Sequence, residues 1–227
     1  MKRRLVRLIG SILLTLAAAM SMEAQEVPDT TADEPPFVEG GIYDKPYLAS
    51  LLGRTAIGGY GEMHARWQRA DGVREEFGFE LKRWNLFTAT QVNDYVRAGA
   101  EIEFEELGEE ITIEYAAIDV IVHPSFIIRG GAILSPLGRF NLSHDSPRNE
   151  FTDRPLVSTE IIGTALTDIG VGALGQIGLS GAGRVTYEAY AVNGYHAGVI
   201  EDAPGGTRIP AGKKNTRDNN GSPAFVL

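Results

Sequence analysis

The chain has 227 residues, 27 glycines, no cysteine and a formal net charge of −9. That length can bury a core as a single domain, and the missing cysteines exclude a disulfide framework and thiolate metal sites. The acidic balance speaks against nucleic-acid binding, whose electrostatic footprint is a basic patch.

In chain order, "MKRRLVR" is a basic leader, and "LIGSILLTLAAAM" is an apolar stretch too short to span a bilayer comfortably. Small residues then offer cleavage after Ser21 or after Ala24, so residues 1–24 are read as a signal peptide and the protein as exported. Residues 25–54 begin acidic and Pro-rich, as a flexible periplasmic or linker segment does.

From Thr55 the pattern turns to strands, predicted at 55–69, 76–90, 95–106, 110–121, 126–133, 168–179 and 184–194. The third shows the two-residue period most plainly. Arg97, Gly99, Glu101, Glu103 and Glu105 fall on one face, and Ala98, Ala100, Ile102 and Phe104 on the other. In the seventh, Arg184, Thr186, Glu188 and Tyr190 oppose Val185, Tyr187, Ala189 and Ala191. The fourth slips phase near Ala116 to Ile118, which predicts a bulge. Tyr60, Trp67, Trp84, Tyr95, Tyr115 and Tyr187, near strand ends, suit the aromatic girdles of a membrane interface.

The connections at 91–94, 122–125 and 180–183 are short, whereas the long ones, 134–167 and 195–223, fall at the opposite end. Bacterial membrane barrels show this asymmetry, and the strand lengths suit a tilted span of about 9–11 residues. The expected fold is therefore all-β, an antiparallel transmembrane barrel. Alternation alone would also fit an exported β-sandwich binding module, such as a surface carbohydrate-binding protein with its apolar faces packed together. The final "GSPAFVL" reads as the opening of an eighth strand, so residues 55–227 are expected to supply part of a longer barrel, since an open edge cannot face lipid.

No chemistry of an enzyme stands out. His144, Asp145 and Ser146 are adjacent in one loop, and such neighbours do not converge on one reacting atom as a triad does. The four histidines, His64, His123, His144 and His196, lack metal-ligand spacing. "GGYG" and "GVGALG" lack the lysine of a phosphate loop. No catalytic residue, metal or cofactor is expected.

The segment "SPLGRFNLSHDSPRNEFTDRPLV" (135–157), with "GGYGE" (58–62), "RAGAEIEFE" (97–105), "TYEAYAVNGY" (186–195) and "RDNNGSPAF" (217–225), resembles the phosphate-selective porin O and P family. The resemblance implies a channel of about sixteen strands in the outer membrane of a Gram-negative-type bacterium, usually a homotrimer, passing small hydrophilic solutes or ions, among them anions such as phosphate. It also implies a loop after the fifth strand that folds inward to narrow the pore, here 134–167. Arg139, Asp145, Arg148, Glu150, Asp153 and Arg154 become candidates for that constriction, and Arg97, Glu101, Glu103, Arg184 and Glu188 candidates for the lumen wall. Three arginines against four acidic residues between Arg139 and Glu160 favour a general or mildly cation-preferring pore over an anion-selective one.

Overall fold

A two-residue turn sets the pattern of the sheet. Asp71 and Gly72 both take positive φ, 50° and 79°, the type I′ geometry whose twist matches the strands it joins. The hairpin it closes is the longest among the described residues, β2 (Thr55–Ala70) and β3 (Val73–Asn93). The strand expected to start at residue 76 thus starts three residues earlier, because the Asp-Gly turn needs no further residues and the charged 74–76 run continues the ladder.

The computed structural model describes residues 45, 49–52, 54–179, 183–201, 207–213 and 217–227. The signal peptide and most of the segment 25–54 lie outside the described residues. The remaining strands are β1 (Ala49–Leu52), β4 (Val96–Glu105), β5 (Glu110–His123), β6 (Phe126–Leu134), β7 (Thr167–Gly178), β8 (Arg184–Val192) and β9 (Ala224–Val226). All nine pair antiparallel with their chain neighbours in one sheet, ordered β1 to β9. The seven predicted strands correspond to β2–β8, and β9 falls in "GSPAFVL". β1 was not expected, so the long connection follows the sixth strand rather than the fifth. The two long connections, 135–166 and 193–223, leave the sheet at the same end.

The two faces of this sheet differ in an unusual sense. One face buries Arg83, Asn85, Arg97, Glu101, Glu103, Glu114, Asp119 and Arg129. The other exposes Met63, Trp67, Phe79, Trp84, Leu86, Ile113, Ile118, Val120, Ile128 and Val171. On β4 the predicted alternation holds: Arg97, Glu101 and Glu103 are buried, whereas Ala98, Ala100, Ile102 and Phe104 are partly exposed. Among the described residues no second sheet covers the apolar face. Trp67 and Trp84, the two tryptophans, stand on it 63% and 57% exposed. Tyr95 is exposed too, but Tyr60 and Tyr115 are buried on the polar side, so these two do not belong to an outer girdle.

The bulge lies in β5, two residues before the predicted place. Glu101 pairs with Tyr115 and Ile102 with Ile113, leaving Glu114 as the extra residue. Glu114 and Tyr115 are consequently both buried, although neighbours in a regular strand point to opposite faces. Tyr115 lies across β4 at Gly99, where a Cβ would stand 2.4 Å from its hydroxyl. Glycine at 99 leaves room for that hydroxyl, and Tyr115 clusters with Ala117 and Leu134, against which Leu142 and Ala165 pack.

Candidate functional site

The buried charges of the polar face form cross-strand ladders. Arg83 on β3 donates from Nε to Glu62 on β2 at 2.9 Å and from Nη1 to Glu103 on β4 at 2.9 Å. Further along the sheet, Arg129 on β6 grips Asp119 on β5 with two parallel bonds, 2.8 and 2.9 Å, and Arg97 reaches the same carboxylate at 3.6 Å. Arg129 also meets the Tyr190 hydroxyl at 3.4 Å, and Tyr190 in turn donates to Glu188. A guanidinium presents a planar fork that matches a carboxylate, and buried charges are tolerated when paired in this way. Of the residues assigned to the polar face from sequence, Arg97, Glu103 and Glu188 join these networks, and Glu101 accepts from Asn85 Nδ2 at 2.8 Å. Arg184 shares their face at the short-turn end and is exposed.

The connection 135–166 lies over this face. It contains α1 (Arg139–Leu142), a 3-10 turn (Ser146–Arg148) and a π-helical turn (Val157–Ile162). Its two stems are tied by Asn141, whose Nδ2 donates to the carbonyls of Ser135 and Leu166 at 2.8 and 2.9 Å while its Oδ1 accepts from Leu166 N at 2.8 Å. Ser146 fastens the middle: its backbone N donates to Tyr60 Oη at 3.3 Å, and its hydroxyl to Glu62. Arg154 donates to the Thr164 carbonyl at 3.0 Å and so braces the second half of the loop on itself. Gly163 ends the π-helical turn at φ 71°, against Pro210 of α3 (Ile209–Gly212) in the other long connection, which also carries α2 (Gly198–Glu201).

The tightest cluster forms where loop and sheet meet. The Lys45 ammonium lies 2.5 Å from Glu101 Oε2 on β4 and 3.1 Å from Asp145 Oδ1 in the loop, and 5.2 Å above the Phe87 ring. Burial works against that charge, but Glu101 and Asp145 more than offset it and raise the ammonium above the ordinary lysine range. Beside it His144 Nε2 meets Glu114 Oε2 at 3.1 Å. Burial, reinforced by the Lys45 charge, pushes the His144 imidazole down to about 4. Glu101, His144 and Asp145 are 0%, 0% and 1% exposed.

Ligand atoms of Glu101, Glu114 and His144 lie within 4.8 Å of one another, the spacing a metal ion would need. Lys45 already supplies a cation at this point. Histidine spacing alone carries no sign of the grouping, because the carboxylates come from β4 and β5 and the histidine from the loop. The remaining loop candidates sit apart from it. Arg148, Glu150 and Asp153 line a cleft with Phe140 and Asn149, Glu150 and Asp153 being exposed, and Asp153 lies 3.5 Å from Arg66. Arg139 is exposed on α1.

No family model matches the chain, and no solved structure matches it. Over 174 residues the chain is 33% identical to an uncharacterized protein of Aquifex aeolicus (strain VF5). The match covers 74% of this chain and 37% of that protein, so the chain spans little more than a third of the relative's length.

Proposed function

We propose that the chain forms part of an outer-membrane channel through which small hydrophilic solutes or ions diffuse, in the manner of the porins its sequence resembles. The observation that carries the reading is the reversed polarity of the sheet, charged side chains buried on one face and large apolar ones exposed on the other. A soluble sheet hides its apolar face, whereas a strand in lipid turns that face outward and encloses its polar groups. An exported sandwich module would need a second layer over Trp67, Phe79 and Ile113. In this reading the sheet closes within a larger barrel, because unpaired strand edges are not tolerated in hydrocarbon.

The polar face also bears on selectivity. Arg83 and Arg129 are engaged by carboxylates, and the loop carries both signs. Such a surface favours a pore without strong anion preference, despite the phosphate in the family's name.

The two tryptophans provide the test. In the protein as its host produces it, reconstituted in bilayers with brominated acyl chains, both should be quenched, and Trp67→Phe and Trp84→Phe should each retain quenching from the other. Planar-bilayer recordings of the same preparation should show steady unitary currents. Unquenched tryptophans would remove the membrane orientation, and silent bilayers the channel.

A further inference from the structure

We propose that Lys45 is a tethered counter-cation that pins the loop 135–166 to the sheet and sets the charge met by a passing ion. The second half of this statement rests on the channel reading above. Three acidic side chains, Glu101, Glu114 and Asp145, converge here in full burial from β4, the β5 bulge and the loop. Their imidazole neighbour, His144, is held neutral by its surroundings. The Lys45 ammonium is a fixed positive charge in direct contact with two of these carboxylates, Glu101 and Asp145.

Its two carboxylate partners belong to different parts of the fold. Glu101 is fixed in the sheet and faces Asn85, which donates to it at 2.8 Å, whereas Asp145 belongs to the loop. One ammonium bridging both is a fastener between them. Phe87 presents its ring face on a third side and packs against Tyr60, which receives the Ser146 bond. Without the ammonium, Glu101 and Asp145 would face each other uncompensated in a desolvated place, where like charges repel strongly. The loop would then lift, and the opening would become more negative.

Both consequences can be read on the protein as its host produces it. Trypsin cleaves after Arg139 and Arg148 in the loop. With Lys45→Met and Lys45→Gln, cleavage at these sites should quicken roughly tenfold, since local opening governs access. Lys45→Arg should keep the unmodified rate. In planar bilayers under a KCl gradient, the two neutral variants should raise the cation-to-anion permeability ratio roughly twofold, and Lys45→Arg should leave it in place.

Unchanged cleavage in both neutral variants would overturn the pin, whatever the currents do. Faster cleavage with an unaltered permeability ratio would overturn the charge-setting role. If the unmodified protein conducts nothing, the channel reading falls and the charge-setting role with it, while the proteolysis still decides for or against the pin. A Lys45→Arg variant that behaves like Lys45→Met would also overturn the proposal, because a cation at position 45 would then not be what matters.

Discussion

The imidazole of His144 is clamped between two oxygens: Nε2 lies 3.1 Å from Glu114 Oε2, and Nδ1 lies 2.8 Å from the Asn141 carbonyl oxygen. A carbonyl only accepts, so a neutral imidazole donates its one N–H from Nδ1 to Asn141, and Nε2 accepts from the Glu114 carboxyl in its protonated form. Glu101, Asp145, Lys45 and Arg154 also act on the ring electrostatically.

Acid should therefore loosen this anchor. An ordinary histidine takes up its proton near 6.5, but in the folded chain this one resists protonation down to about 4. Between these values the unfolded chain binds more protons, so the stability held above 6.5 declines as the pH falls toward 4. Thermal unfolding in detergent across that window should show the decline, and His144→Gln should flatten it. Equal slopes in both proteins would mean that His144 is not buried as the neutral form.

Asn141 closes the stem of the loop with three hydrogen bonds. Asn141→Ala leaves buried carbonyl and N–H groups without partners, at a cost of about 1–3 kcal/mol for each group that water cannot reach. Asn141→Asp should do no better, since it sets a carboxylate oxygen against two carbonyls. Urea unfolding midpoints check both variants, and an Asn141→Asp protein of native stability would contradict the assigned bonds.

Two glycines separate backbone strain from packing. Gly72 and Gly163 both hold positive φ, 79° and 71°. A Cβ at 72 meets nothing within 4 Å, but at 163 it stands 2.4 Å from Pro210 Cγ. Gly72→Ala should cost about 1–2 kcal/mol of strain alone. Gly163→Ala should cost more, through the contact between the two long connections. Equal losses in denaturant titrations would show that the Pro210 contact carries no stability.

Much of the sheet was readable because a period of two is a local signal, and β2–β8 follow it over most of their length. The position of the β5 bulge was less so. The apolar run at 116–118 blurs the phase, and the extra residue, Glu114, is an acidic residue in an otherwise regular pattern. β1 escaped notice because four residues, "ASLL", carry no period of their own. In the site, Asp145 and Glu101 were legible as charged residues on a loop and a polar face. Lys45 was not, since its partners lie 56 and 100 positions away and its own surroundings read as linker.

Exposed loop charges should respond to salt in a way the buried cluster does not. Glu150 and Asp153 are exposed, so Glu150→Gln with Asp153→Asn should lower the cation-to-anion ratio at about 0.1 M salt, where charges act over about 10 Å. The shift should fade near 1 M, where that range shrinks to about 3 Å. Reversal potentials at both concentrations measure it, and no shift at low salt would place these residues away from the ion path.

Because every strand pairs with its chain neighbour, β2 to β6 can assemble hairpin by hairpin, through contacts that close only short lengths of chain. The loop's bonds are of another kind. Ser146 reaches back 84 and 86 residues to β2, and Asp145 reaches 100 residues to Lys45. Such distant pairs gain little until both partners already stand in fixed positions. Seating of the loop is thus expected to follow formation of the strands it binds, whose charged face would until then be wet.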